Sequence, residues 1–340
     1  MPQTGSKTVL VTGGTGFVGR WAIARLIRRG YLVRATVRDL ARESELRGAV
    51  ATQKETGKYL TAVAADLTAD AGWDEAVAGC AYVLQIASPL GSAGESDKAL
   101  IAAARDGTLR VLRAASAAGV ARVVMTSSTA ACTPAGPLDR AIDERDWTDP
   151  DQPGLAAYRR SKVLAERAAW DFMAGRKTEL TTILPGAIFG PMLKRQRLGS
   201  VAIIERLLHG QPPALPRLAF NITDVRELAD LHIRAMTEPA AAGQRFIALG
   251  EALWYGEIAA ALKARLGAGA KRVPTRAMPD VAARALAVFS PQMKAMLPLL
   301  GRTQAFSTEK ARRVLGYNPR PAADTVVDCA RSLVGGTWAG

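Results

Sequence analysis

The chain has 340 residues, 49% hydrophobic and 22% charged, the balance of a globular protein large enough for one big core or two domains and not that of a disordered or fibrous chain. Its formal net charge is +14, from 45 basic and 31 acidic residues; such a field speeds encounter with anions, a phosphorylated cofactor among them. The basic residues are scattered as RLIRR, MLKRQR, KRVPTR and EKARR without interleaved aromatics, so nucleic acid is not the expected partner.

Cys80, Cys132 and Cys329 lie far apart, form no CxxC pair and are accompanied by only two histidines, which suggests neither a disulfide framework nor a metal site. A reducing cytoplasm is expected. The opening MPQTGSKTVLV has no cationic stretch followed by an apolar one, so no leader is expected there. No apolar run approaches the roughly 18 residues of a membrane span, and no membrane partner is expected.

In chain order, the first half alternates short β-branched runs with helical stretches: strands are expected at 8–12 (TVLVT), 32–37 (LVRATV), 60–65 (LTAVAA), 82–87 (YVLQIA), 122–127 (RVVMTS) and 180–185 (LTTILP). Between the first two, VGRWAIARLIRRG places Val18, Ile23, Leu26 and Ile27 on one helical face and Gly30 at its stop. This is the pattern of an α/β, doubly wound parallel sheet covered on both faces. After Pro185 the rhythm changes, with proline and glycine in GAIFGPM and GQPPALPRL, and from about residue 250 the chain reads as helices and loops. DVRELADLHIRAM (224–236) still reads as a core helix. The expected organisation is a dinucleotide-binding domain over 1–184, with 220–245 returning to it, and a smaller, mostly helical substrate domain over 185–219 and 246–340.

The turn VTGGTGFVGR joins the first strand to the first helix and spaces Gly13, Gly16 and Gly19 three apart. A pyrophosphate at a helix N-terminus needs backbone N–H groups within reach, and a side chain at these positions blocks the turn, the approach or the helix packing. The strand–turn–helix setting makes this a dinucleotide fingerprint. In NAD binders an acidic residue about 20 positions on holds the ribose hydroxyl. Here that position falls near Val37 and is followed by Arg38, whose guanidinium suits the 2′-phosphate of NADP(H). Asp39 competes for Arg38, so NAD stays open as the alternative.

AAYRRSKVLAERAAWDF sets Tyr158 and Lys162 four apart on one helical face. An ammonium beside a phenol stabilises the phenolate and equips the ring as a proton donor or acceptor. VVMTSST brings Thr126, Ser127, Ser128 and Thr129 to the end of the fifth strand, the edge where doubly wound sheets bind ligands, and one of these hydroxyls can hydrogen-bond a carbonyl oxygen.

Together the TGxxGxxG turn at Thr12 to Gly19, the TSS strand end and the YxxxK helix resemble the extended short-chain dehydrogenase/reductases of the NAD-dependent epimerase/dehydratase superfamily, over essentially the whole chain. More narrowly, RRGYLVRATVRD, AADLTADAGWDEAVAGC, IASP, SKVLAERAAW and FGPM are similar to the dihydroflavonol 4-reductase-like branch of ketone and aldehyde reductases. The resemblance implies that Ser128 orients the substrate carbonyl, Tyr158 delivers the proton, and Lys162 supports Tyr158 and holds the nicotinamide ribose. It further implies that Gly13, Gly16, Phe17, Val18 and Gly19 cradle the cofactor. Arg38 would meet the 2′-phosphate, Asp66 and Leu67 flank the adenine, Ala87 and Ser88 line the cofactor, and Pro185 and Ile188 sit beside the nicotinamide. Pro89, Thr129 and Thr133 would contact substrate; Ser127 and Thr129 stay open as substitutes for Ser128. Where flavonoid reductases carry an asparagine, five residues past the serine, this chain has Thr133, and the stretch MLKRQRLGS is unusually basic, which argues against a flavonoid substrate.

The expected activity is NADPH-dependent reduction of an aldehyde, ketone or dihydroflavonol-like carbonyl by a monomer or homodimer. The alternatives are a nucleotide-sugar epimerase or dehydratase, a hydroxysteroid-type dehydrogenase, and a non-catalytic NADP-sensing or nucleic-acid-binding protein.

Overall fold

The structure, a computed structural model, describes residues 7–50, 56–89, 91, 96–136, 138–194 and 199–335. Most of the basic part of MLKRQRLGS, residues 195–198, lies outside the described residues, as do residues 1–6 of the opening stretch. Among the described residues the strands are β1 (Thr8–Val11), β2 (Leu32–Val37), β3 (Leu60–Ala64), β4 (Tyr82–Gln85), β5 (Arg122–Thr126), β6 (Glu179–Pro185), β7 (Ala187–Phe189), β8 (Ala219–Asp224), β9 (Arg245–Ala248) and β10 (Ala252–Trp254).

The chain divides into two compact units. The larger comprises Met1–Pro185, Arg226–Ala248 and Ser307–Tyr317; the smaller comprises Gly186–Val225, Leu249–Phe306 and Asn318–Gly340. The larger unit holds a seven-stranded sheet in the order β3-β2-β1-β4-β5-β6-β9, parallel throughout. Its inner strands are largely buried because helices cover both faces; β5, for example, is buried at every residue, whereas the edge strand β3 is partly exposed. On one face Leu10, Val63, Val83, Val123 and Leu180 pack with Trp73, Val111, Leu112, Ala165, Ala169 and Met173 from the covering helices. The strand order reverses direction beside β1, which puts a crevice at the carboxyl ends of β1 and β4.

The six expected strands are present, some trimmed at their ends. β4 stops at Gln85 and not at residue 87 because the N–H groups of Ile86 and Ala87 leave the ladder and donate to Thr12 Oγ1. Helix Phe17–Arg28 buries Val18, Ile23, Leu26 and Ile27, and Gly30 follows with φ +79°. Helix Val225–Thr237 confirms the core reading of that stretch.

The smaller unit contains more than helices. β10, β8 and β7 form a three-stranded sheet, β7 parallel and β10 antiparallel to β8. β7 and β10 escaped the sequence pattern because they have only three residues each, too few for an alternation to register; the six-residue β8 was not read as a strand either. Helix Tyr255–Leu266 packs on helix Ala322–Gly335, which also meets helix Val201–Leu208. Among the described residues no helix is long and apolar enough to cross a membrane, and no cluster of potential metal ligands occurs.

Candidate functional site

The glycine turn is built from the backbone outwards. Thr12 Oγ1 accepts from the N–H groups of Ile86 at 3.0 Å and Ala87 at 2.9 Å, tying the exit of β1 to the exit of β4. Gly13 N donates to Thr36 Oγ1 at 3.0 Å, Gly14 N to Thr36 O at 3.0 Å and Gly16 N to Gly13 O at 2.9 Å. Gly13 has φ +69°, and a Cβ on Gly19 would lie 2.3 Å from Gly13 O, so only glycine lets helix and turn approach this closely. Helix Phe17–Arg28 starts from Gly16 with no side-chain cap and no acidic residue in its first turn. Its leading N–H groups and the positive end of its dipole therefore face outward without a competing carboxylate, which fits a dinucleotide pyrophosphate. Phe17 is half-buried and Val18 buried in that first turn.

Arg38 leaves the end of β2 exposed to solvent. Asp39, its potential competitor, caps the helical turn Leu40–Arg42 by accepting from Ala41 N at 2.9 Å. Among the described residues no hydrogen bond or ion pair engages the Arg38 guanidinium, which leaves both edges of the fork available to a phosphate. Beyond β3, Asp66 Oδ1 accepts from Thr68 N at 2.8 Å and from Thr68 Oγ1 at 2.7 Å. These bonds, with a smaller pull from the nearby Arg38 charge, hold the Asp66 carboxyl below its ordinary range. Leu67 sits so close to the helix Asp97–Ala117 that a Cβ on Gly107 would come within 2.7 Å of Leu67 Cβ.

Beside the exit of β4, helix Ala157–Met173 carries Tyr158, Lys162 and Glu166 at successive four-residue steps. Tyr158 is half-buried and Lys162 is 5% exposed. Lys162 Nζ lies 5.7 Å from the Tyr158 ring centroid and donates to Ser88 Oγ at 2.9 Å, so the ammonium is held between the phenol and the strand end. Ala87, Ser88 and Pro89 follow β4 as a half-buried edge.

The hydroxyls at the end of β5 separate by partner. Thr126 Oγ1 is 2.7 Å from His232 Nε2, and Ser127 Oγ donates to Glu166 Oε2 at 2.6 Å. Thr129 Oγ1 donates to Pro185 O at 3.4 Å. Thr133 Oγ1 donates to Thr129 O at 2.7 Å, while its N–H donates to Thr148 Oγ1. Ser128 Oγ instead accepts, from Ala130 N at 3.1 Å, and so retains a proton to give. Pro185 closes β6 in the larger unit, and Ile188 lies half-buried in β7 of the smaller unit.

Sequence reasoning missed Thr36, which receives Gly13, and the buried pair of Glu166 and Arg245. Thr36 reads only as one polar residue inside a hydrophobic strand. Glu166 had a visible signal, an acid two helical turns beyond Tyr158 on the same face, whereas its partner Arg245 lies far along the chain and nothing local points to it. The buried His232, with Nδ1 2.7 Å from Leu228 O, is pushed by desolvation down to about 4.

Residues 9–250 match the model of the NAD dependent epimerase/dehydratase family. The chain is 33% identical over 261 residues, 74% of each chain, to cinnamoyl-CoA reductase 1 of Oryza sativa subsp. japonica. It is 31% identical over 267 residues, 76% of this chain and 74% of the relative, to dihydroflavonol 4-reductase of Zea mays. The crystal structure of Gre2 from Candida albicans, a complex with NADPH, is similar with a TM-score of 0.82 and 26% identity, covering 97% of this chain and 99% of that one. The larger unit's dinucleotide turn, its Tyr158–Lys162 helix and these likenesses agree: the chain belongs to the NAD dependent epimerase/dehydratase family, and is an NAD(P)-dependent reductase within it.

Proposed function

We propose that the chain is an NADPH-dependent carbonyl reductase, turning an aldehyde, ketone or dihydroflavonol-like carbonyl into the alcohol. The observation that carries this reading is the grouping of proton sources: Lys162 Nζ stands 5.7 Å from the Tyr158 ring centroid and 2.9 Å from Ser88 Oγ, while Ser128 keeps a free hydroxyl proton. Reductases among the relatives support it, as does the NADPH held by the similar Gre2.

When bound, the reduced nicotinamide supplies a hydride to the carbonyl carbon and leaves as its oxidised form. The protein's residues act on the oxygen. Ser128 donates a hydrogen bond to the carbonyl oxygen and polarises it, and the same bond strengthens as negative charge develops there. Tyr158 transfers its hydroxyl proton to that oxygen, completing the alcohol; a positioned acid of this kind is worth roughly 10² to 10⁴ in rate. The Lys162 ammonium offsets the charge left on the phenolate and is turned toward it by Ser88. Gly13, Gly16, Phe17, Val18 and Gly19 would hold the pyrophosphate, Arg38 the 2′-phosphate, and Asp66 and Leu67 the adenine. Ala87, Pro185 and Ile188 would line the nicotinamide half, and Pro89, Thr129 and Thr133 would meet the substrate. In this reading the larger unit binds the dinucleotide and the smaller selects the substrate.

The enzyme works as a monomer or homodimer in the cytoplasm. All three cysteines are buried thiols, and burial pushes those of Cys132 and Cys329 up to about 12, so none serves as an exposed redox group. The test is loss of NADPH absorbance with a panel of aldehydes, ketones and β-ketoesters. Turnover of at least one class is expected; tightly bound, stoichiometric NAD released on denaturation, with no turnover of any carbonyl, would favour an epimerase instead.

A further inference from the structure

We infer that the buried pair of Glu166 and Arg245 is the positioning device of the reductase site, setting which hydroxyl at the end of β5 faces the substrate. The inference rests on the reductase reading above. Glu166 is fully buried. Its Oε2 accepts from Ser127 Oγ at 2.6 Å; its Oε1 accepts from Thr182 Oγ1 at 2.7 Å and from Arg245 Nε at 2.9 Å. One carboxylate therefore joins the helix of Tyr158 and Lys162 to β5, β6 and β9. Arg245 is fixed in turn: Nη1 donates to Glu144 O at 2.7 Å and Asp146 O at 2.9 Å, and the guanidinium lies 3.6 Å from the Trp147 ring centroid.

A buried ion pair is a poor device for stability alone, because desolvation offsets most of its Coulombic gain and apolar side chains of similar volume serve as well. Hydrogen bonds supply what apolar contacts cannot, namely direction. The chain is extended through Ser128, with φ −164° and ψ 152°, and Ser127 N still donates to Ile183 O at 2.8 Å in continuation of the β5–β6 pairing. In such backbone successive side chains point to opposite sides. Turning the Ser127 hydroxyl inward to Glu166 therefore turns Ser128 away from Glu166, with its proton uncommitted. The same carboxylate fixes the rotation of the helix whose preceding turns carry Lys162 and Tyr158. Glu166 and Arg245 touch no reacting atom in this account; they act through Ser127 and the helix.

The test compares the full-length protein with the double variant Glu166→Met/Arg245→Met and with Ser127→Ala, which removes a single bond and leaves the ion pair intact. Thermal melting is expected to stay near wild type in Ser127→Ala and to fall in the double variant, which leaves Ser127, Thr182 and the carbonyls of Glu144 and Asp146 without these partners, so turnover is compared below both melting temperatures. In the double variant kcat falls about tenfold to a hundredfold, the scale of a misplaced reacting group, while KM for NADPH changes little; Ser127→Ala shows a smaller fall of the same kind. Wild-type kcat in either folded variant overturns the inference, and so does a loss of kcat and of NADPH affinity in equal proportion. A crystal structure of Ser127→Ala gives a readout independent of turnover. Ser128 rotated from its wild-type direction supports the inference, and Ser128 unmoved overturns it even if the substrate panel has failed to reveal any reductase activity.

Discussion

Lys162 Nζ donates to Ser88 Oγ at 2.9 Å, a bond between residues 74 apart in sequence that ties the helix of Tyr158 to the turn leaving β4. Since Lys162 is buried and Tyr158 half-buried, the ammonium has little freedom to leave the ring. Lys162→Met removes the charge proposed to offset the phenolate and the contact proposed for the nicotinamide ribose. Steady-state kinetics are expected to show kcat reduced about a hundredfold or more together with a raised KM for NADPH. Ser88→Ala, which loses only the orienting bond, is expected to lower kcat by a smaller factor.

Among the described residues no hydrogen bond or ion pair engages the Arg38 guanidinium, and Asp39 Oδ1 accepts from Ala41 N. Charge-assisted hydrogen bonds to a phosphate are worth about 1.5–3 kcal/mol each, so Arg38→Ala should weaken NADPH binding about tenfold to a hundredfold and leave NADH binding nearly unchanged. Equal effects on the two cofactors, measured by fluorescence titration, would remove Arg38 from the 2′-phosphate.

Gly19 faces Gly13 O so closely that an added Cβ would stand at 2.3 Å. The neighbour is backbone and cannot swing aside. Gly19→Ala must open the turn or shift the helix, a strain of roughly 1–3 kcal/mol, and is expected to lower both the melting temperature and NADPH affinity. A melting curve and a titration check it; wild-type values in both would mean the turn yields without cost.

The buried His232 titrates in the folded protein near 4, lowered from 6.5 by desolvation. Its folded value lies below its unfolded value, so between about pH 6.5 and pH 4 the unfolded chain takes up a proton that the folded chain refuses, and stability falls as the pH falls. The contribution is fully present above the unfolded value and lost by the folded one. Thermal melts between pH 7 and pH 4 should therefore slope less in His232→Gln than in the wild type; parallel curves would assign the acid sensitivity to other groups.

The glycine turn and the Tyr158–Lys162 pair stood out as candidates because they depend on spacings of three and four residues, and Arg38 because it follows the position about 20 residues beyond the turn; such spacings survive in a linear string. Six of the seven strands of the larger unit were legible because buried parallel strands are rich in apolar and β-branched residues; the seventh, β9, is a four-residue strand that opens on Arg245. β7 and β10 of the smaller sheet were not, because three-residue strands carry no period. Nor were the partners of the β5 hydroxyls. Ser127 and Ser128 are neighbours of the same type, and only the inward carboxylate of Glu166 and the remote His232, meeting Ser127 and Thr126 respectively, distinguish one hydroxyl from the next. Arg245, a single basic residue entering a four-residue strand, gives no local sign of the carboxylate it meets.

The most direct test of the account is turnover by Tyr158→Phe beside its affinity for NADPH. The substitution deletes one hydroxyl and keeps the ring that sits beside Lys162. Carbonyl reduction is expected to drop by about 10² to 10⁴, with NADPH bound as in the wild type. Near-normal turnover in that variant would show that the proton comes from elsewhere and would contradict the proposed mechanism.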